Sequence, residues 1–330
     1  MSVGLGANAR DARVVTATPP FDLLRPRRSI TGMSAVLLPF LDPETPDIDG
    51  FLTHLVRTVD AGLVPAINMD TGFGPTIGAE RRAELLRLAR DAVVCEVVAG
   101  AHVLDSPGDG FDADALHREV DALVAAGATP ILFPSHGLAA LEDDQIVEEW
   151  AAVGERVERF LGFELGKQFH PAGRILGLDA YESVLSIPTC VGAKHSSLER
   201  SREWDRLRVR DRVRPDFMVL TGNDLAVDMV CYGADYLLGI TTFAPDLFAE
   251  RDRRWAAGDP SFHQLNDDLQ YLGRFAFRSP VPAYKHSAAQ FLRLRGWIDS
   301  DVTPAGAPER PPTDVAILSE IAERLGVAAT

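Results

Sequence analysis

Ile187-Pro-Thr-Cys-Val-Gly-Ala-Lys-His-Ser-Ser197 is a short apolar run that ends in a lysine and passes into small polar residues able to start a helix. A buried strand ending in an amine suits the mouth of a parallel barrel, where strand C-termini present side chains to a substrate. The lysine is also scarce. Of 33 basic residues, three are lysines (Lys167, Lys194 and Lys285) and the other 30 are arginines. Arginine stays protonated and is no nucleophile. A desolvated lysine amine can lose its proton and attack a carbonyl to form a Schiff base. Lys194 is therefore the first candidate for chemistry. The plain alternative is a surface lysine whose stem snorkels along apolar neighbours.

On both sides of this segment the same rhythm repeats: a short apolar strand, a turn, an amphipathic helix. Strands are expected over 31–38, 63–69, 93–99, 129–134, 160–165, 189–194, 216–221 and 236–241. Helical patterns lie near 48–61, 78–91, 111–126, 142–158, 177–186, 198–206, 223–232 and 245–257. Turn pairs such as Ala61-Gly62 and Ala126-Gly127 announce the following strands. Continuously apolar strands are those of a parallel sheet covered on both faces. Eight strand–helix units imply an α/β fold, a (β/α)8 TIM barrel, rather than an open doubly wound sheet. After about residue 258 the strands stop, and residues 261–277, 283–296 and 312–326 read as three helices. The expected organisation is an N-terminal arm (1–29), a barrel carrying the active site (30–258) and a C-terminal helical appendage (259–330).

Composition narrows the function. With 46% hydrophobic and 25% charged residues the chain reads as a soluble globular protein. A net charge of −15 argues against nucleic-acid and anionic-membrane partners. No apolar run approaches the roughly 18 residues needed to span a bilayer, and no apolar leader segment stands at the N-terminus. Cys95, Cys190 and Cys231 have no metal-type spacing, and their number is odd, as for reduced thiols in a cytoplasmic protein. No G-x-G-x-x-G fingerprint or P-loop is present, so no nucleotide cofactor is expected. No other cofactor or metal is expected either.

The expected strand ends gather a constellation. The second presents Asp70, then Thr71 and Gly72, a turn with a hydroxyl and backbone N–H groups suited to a carboxylate. The fourth leads to His136. The fifth carries Glu164 and is followed by a loop with Arg174. The sixth ends at Lys194, the seventh at Asn223-Asp224, the eighth at Thr241. Asp224 could equally cap the next helix, and Glu164 in an apolar strand needs a partner. Together a lysine, two carboxylates (Asp70 and Glu164), His136 and the Thr71-Gly72 turn would make a pocket for a small oxo-acid.

The order of motifs resembles the dihydrodipicolinate synthase / N-acetylneuraminate lyase family of class I aldolases over roughly residues 30–325. Gly32-Met-Ser-Ala-Val-Leu-Leu-Pro-Phe40 is similar to the family's opening strand, G-x-x-T-A-x-x-T-P-F. Asp70-Thr71-Gly72 falls at its T-T-G-E turn, and Val191-Gly-Ala-Lys-His-Ser-Ser197 at its G-I-K-x-[SA]-S strand. Leu220-Thr-Gly-Asn-Asp224, Tyr232-Gly-Ala-Asp-Tyr-Leu-Leu-Gly239 and Ala244-Pro245 follow its later course. Val281-Pro-Ala-Tyr-Lys285 resembles its C-terminal P-x-K stretch. The resemblance implies that Lys194 condenses with pyruvate or another 2-oxo acid. Thr71 and Gly72 would bind the carboxylate, with Arg174 and Thr241 as further substrate contacts.

The resemblance also implies a proton relay through a strand-5 tyrosine, which is absent here. Its place falls to Glu164 or to Phe169, depending on whether the strand end or the loop is aligned. The relay would then use some combination of Glu164, Asp70 and His136. The function implied is a Schiff-base lyase acting on a small 2-oxo acid or sugar acid, in a homo-oligomer (dimer or tetramer). The rivals are a metal-assisted or acid–base sugar isomerase or epimerase on the same barrel, and a non-catalytic relative that binds a small acid.

Overall fold

The computed structural model describes residues 19–327, so residues 1–18 of the expected arm lie outside it. Eight strands form a closed parallel barrel: β1 (Gly32–Ala35), β2 (Val64–Ile67), β3 (Val98–Ala101), β4 (Thr129–Leu132), β5 (Phe160–Leu165), β6 (Cys190–Ser196), β7 (Met218–Thr221) and β8 (Asp235–Leu238). Each strand pairs with its sequence neighbour, and β8 closes on β1.

The helices outside are α1 (Ile48–Asp60), α2 (Ala79–Ala92), α3 (Ala113–Ala125), α4 (Asp143–Gly154), α5 (Leu178–Val184), α6 (Arg200–Val213) and α7 (Pro245–Ala257). Their starts follow local chemistry. Asp47 and Asp112 accept hydrogen bonds from Gly50 N and Ala115 N (both 2.8 Å), and Pro245 opens α7. Three further helices follow, α8 (Ser261–Ala276), α9 (Tyr284–Leu294) and α10 (Asp314–Arg324). This is the (β/α)8 fold with C-terminal helices that the strand rhythm implies.

The first strand is shorter than expected, Gly32–Ala35, and the helix expected over 198–206 runs on to Val213; two further elements differ more. The third strand begins at Val98 rather than at 93: α2 runs to Ala92, and Arg90 near its end donates to the Cys95 carbonyl, where the chain bends. The helix expected over 223–232 is only a 3-10 segment, Val227–Tyr232. Asn223 Oδ1 accepts from Leu225 N (3.2 Å), a local bond that competes with a helix start, and Asp224 Oδ1 is drawn to Ile240 N after β8 (2.8 Å).

The core has two layers. Leu161, Phe163, Leu165, Phe133, Met33, Met69 and Leu220 fill the barrel lumen. Phe160, Ala193, Val219 and Leu207 belong to the layer between strands and helices. Alternation along β5 thus sends odd-numbered residues inward and even-numbered ones outward. Between β5 and β6 the register slips by one residue: Phe160 pairs with Cys190, but Leu161 pairs with Gly192. An extra residue in one strand re-aims every side chain beyond it. Val191 and Lys194, three positions apart, can therefore both face the lumen, with Lys194 opposite Phe163.

Tight contacts fix this part of the barrel. A Cβ at Gly162 would lie 2.4 Å from a ring atom of Trp150, which is itself buried. Gly162→Ala must displace that rigid indole, and overpacking of this kind costs about 1–3 kcal/mol. Urea unfolding should show a loss of that size; a stability equal to the parent would contradict the packing described.

Candidate active site

Lys194 is 8% exposed and sits at the C-terminal end of β6 with its Nζ 4.5 Å from the centroid of the Phe163 ring. It makes no hydrogen bond or ion pair among the described residues. Burial lowers its pKa from 10.5 to about 8, against the pull of Asp224 and Asp70, which favour the charged amine. Gly222 at the end of β7 makes room for it: a Cβ there would lie 2.0 Å from Ser196 Oγ and 2.8 Å from Lys194 Cε. Asp224, also buried, is lifted to about 7 by desolvation, partly offset by the Ile240 N–H and by Lys194. Burial thus moves the amine and the carboxyl toward each other's range, and each group's charge acts on the other.

Asp70 and Thr71 lie in the turn after β2. Lys285 Nζ donates to Asp70 Oδ1 (2.9 Å), and Tyr284 Oη donates to Oδ2 (3.0 Å). Thr71 Oγ1 is 2.8 Å from Tyr284 Oη. An ionised carboxylate only accepts, so Tyr284 must spend its proton on Asp70. The Thr71 hydroxyl then donates to Tyr284. Burial raises the Asp70 pKa, but Lys285, the Tyr284 hydrogen bond and Lys194 together outweigh it and leave the group below its ordinary value.

Of the turn's N–H groups, Gly72 N and Phe73 N are used internally, by Met69 O (3.1 Å) and Asp70 O (2.9 Å). Thr71 N makes no hydrogen bond among the described residues and remains the donor free for a carboxylate. The turn packs against the end of β3. A Cβ at Gly74 would lie 2.0 Å from Asn68 O, and His102 Nε2 is 2.6 Å from that oxygen.

The structure does not bring all the expected residues together. Glu164 points outward from β5, on the face opposite Phe163 and Lys194. It accepts from Arg206 Nε (2.9 Å) and Nη2 (2.6 Å), from His195 Nδ1 (2.8 Å) and from Leu176 N (3.1 Å). Burial opposes its charge, but His195 and Arg206 hold it at a pKa of about 2. It is a structural carboxylate, and an acid–base role for it is withdrawn. Of the two residues that could stand for the missing tyrosine, Phe169 packs against the lumen and Glu164 does not.

Arg174 is also set apart. Its guanidinium is committed to Asp143 Oδ1 (2.6 Å) and to the Ala139 carbonyl. It borders a cavity of about 500 Å³ with Lys167 and His136, away from the Thr71-Gly72 turn. His136 stands further out than Lys194. It lines a cavity of about 240 Å³ with Pro75, His102, Phe133 and His170, and its ring lies 5.8 Å from that of His170. Phe133 meets Phe163 edge to face at 4.8 Å, so this cavity lies one aromatic pair away from the amine. Thr241 is buried, and its hydroxyl donates to Leu238 O (2.7 Å).

Asp224 stands where the sequence places it, at the barrel mouth, whereas Tyr284 and Lys285 had no place among the expected site residues. The latter two lie in the quoted Val281–Lys285 motif without a role, and the scarcity of lysine was the available signal for Lys285. Among the described residues no group of three or more His, Cys, Asp or Glu side chains is arranged to hold a metal ion, and no helix is long and apolar enough to cross a membrane.

No family model matches the chain. A 4-hydroxy-tetrahydrodipicolinate synthase from Kosmotoga olearia is 27% identical over 233 residues, 68% of this chain and 75% of that protein. Solved structures share the fold at lower identity. A dihydrodipicolinate synthase from Thermotoga maritima superposes with a TM-score of 0.76 at 16% identity, covering 91% of this chain and all of that one. A prophage protein of the dihydrodipicolinic acid synthase family from E. coli K12, solved in complex with pyruvate, gives 0.78 at 18% identity, covering 90% and 99%. A monomeric dihydrodipicolinate synthase variant gives 0.76 at 17% identity, covering 94% and 99%. The chain is similar to the dihydrodipicolinate synthase family in sequence and in fold.

The outward position of Glu164 has a measurable consequence. Glu164→Ala leaves the buried Arg206 guanidinium without its partner, and breaking a buried pair costs about 3–5 kcal/mol. Chemical denaturation should show a loss of that order. A variant as stable as the parent would contradict the structural role.

Proposed function

We propose that this chain, similar as it is to the dihydrodipicolinate synthase family, is a lyase that cleaves or forms a bond of a small 2-oxo acid through a Schiff base on Lys194. The observation that carries the reading is Lys194 itself: buried, facing the lumen, unpaired and with its pKa brought to about 8. The names of the relatives, a synthase and a pyruvate-bound family member, support the substrate class. In this reading residues 30–258 carry the lysine, and residues 259–330 form an appendage that lends it Tyr284 and Lys285.

The chemistry follows from the groups present. The neutral Nζ attacks C2 of the oxo acid, and water leaves to give a protonated imine. That imine accepts the electron pair released when the C3–C4 bond of a 4-hydroxy-2-oxo acid breaks. The C4 hydroxyl gives up its proton, and an aldehyde departs. The resulting enamine takes a proton at C3, and water returns the free amine and pyruvate. Thr71 N–H binds the substrate carboxylate. Asp224, lifted to about 7, is the group suited to accept and return protons. Asp70, held ionised, balances the positive charge that develops at Nζ. The cavity beside His136 receives the far end of the substrate.

Two outcomes test the reading. With a panel of 4-hydroxy-2-oxo acids and pyruvate release as the signal, Lys194→Arg should lose activity by roughly a thousandfold or more while the far-UV spectrum stays unchanged; retained turnover would overturn the mechanism. Because burial lowers the Lys194 pKa, the reactive neutral amine grows as pH rises. kcat/KM should climb through about pH 8 and then level off. A profile flat across that range would count against the assignment.

A further inference from the structure

Two of the three lysines act on one carboxylate, Asp70. Lys194 comes from β6, while Lys285 comes from α9, which belongs to no strand–helix unit of the barrel. Lys285 is buried with its Nζ 2.9 Å from Asp70 Oδ1 and 5.2 Å from the Phe73 ring centroid. Its neighbour Tyr284 is stacked on Phe277 at 4.3 Å between centroids, which fixes the phenol so that it reaches both Asp70 and Thr71. Asp70 is thus gripped at both oxygens by consecutive residues of one helix.

We propose that Lys285 and Tyr284 are positioning residues that fix Asp70 as the counter-charge of Lys194, so that α9 completes the lysine's environment where no strand-5 tyrosine is present. This deepens the Schiff-base reading and rests on it for its purpose, although the clamp itself is a property of the resting protein. An unpaired carboxylate beside Lys194 would hold the ammonium proton and keep the amine unreactive. With Lys285 paired to it at 2.9 Å, Asp70 stays ionised and aimed but pulls less on Lys194. The same carboxylate can then support the positive imine once it forms.

The charged and titratable groups around Asp70 and Lys194 are few. Lys285 and Tyr284 face them from α9, Asp224 from the end of β7, His102 from the end of β3 and His170 from the loop after β5. Burial drives His102 down to about 3 and lowers His170 below its ordinary value, so neither gains charge above pH 7. Asp224 titrates near 7, at the lower edge of the amine's window, and is common to every variant compared. The charges that act most strongly on Lys194 are Asp224 and Asp70, and Lys285 is paired with the latter.

The test reads the Lys194 amine without any oxo acid. Full-length protein is reductively methylated with isotope-labelled formaldehyde across pH 6–10 as a probe range, roughly two units either side of the amine's midpoint. Labelling at the three lysines is then mapped by peptide mass. Asp70→Asn removes a charge that favours the ammonium, so the Lys194 midpoint should fall. Lys285→Met exposes the Asp70 charge, so the midpoint should rise by about half a pH unit or more. Lys285→Arg, which keeps the pair, should stay near the parent, and the Asp70→Asn/Lys285→Met double variant should match Asp70→Asn alone.

An unchanged midpoint in Lys285→Met, or a double variant that differs from Asp70→Asn, overturns the proposal. A merely structural Lys285 would alter unfolding without moving the midpoint. If the methionine variant does not fold, Lys285→Gln takes its place under the same criteria. Trapping with pyruvate in the same samples reports on the lyase separately. No pyruvate adduct alongside the expected midpoints would sink the lyase and leave the clamp standing.

Discussion

An amine kept out of water at the end of a barrel strand is the constraint on which this site depends. Burying a charged ammonium is costly unless it is paired, and that cost brings the Lys194 pKa down to about 8. Three features produce this state together. The register slip between β5 and β6 turns Lys194 into the lumen. The Phe163 ring closes one side of the amine, and the bare backbone of Gly222 closes another. Without the slip, alternation from Val191 would send Lys194 toward the helix layer, where His195 now meets Glu164.

The remaining charges are arranged around that requirement. Lys194, Lys285 and Asp224 are buried and Asp70 is partly buried beside them, a net balance of charge that low-dielectric surroundings favour. Lys285 is matched with Asp70 at 2.9 Å, and Asp224 is held by the Ile240 N–H at 2.8 Å. Lys194 is the member left without a direct partner, while Lys167 is exposed on the loop after β5. The lack of a direct partner distinguishes Lys194 from Lys285, and burial distinguishes it from Lys167. The nearby Glu164–Arg206–His195 cluster is denser in charge but lies behind the strand wall, and it braces β5 and β6 against α6.

The barrel was legible because short apolar strands and intervening amphipathic helices are themselves the signal. Lys194 stands out in the sequence as a candidate because arginine has replaced lysine almost everywhere else. The errors share a physical origin. Glu164 and Lys194 both stand at strand ends, and only the face of the strand separates a site residue from a structural one. A single bulge decides that face, and it leaves no mark in a run of small apolar residues. Tyr284 and Lys285 were hidden for another reason: they reach Asp70 across more than 200 positions of sequence, from a helix outside the strand–helix repeat. Arg174 kept its expected place in the loop, but Asp143, which no local pattern linked to it, claims its guanidinium.

The measurement that tests the central claim most directly is borohydride reduction of the protein incubated with pyruvate, followed by peptide mass mapping. Only three lysines compete for the label, and each lies in a distinct surrounding. The account predicts a reduced adduct on the peptide containing Lys194, formed more readily as pH rises through about 8, with none on Lys167 or Lys285. An adduct on Lys285 in place of Lys194, or no adduct in folded protein at any pH, would contradict it.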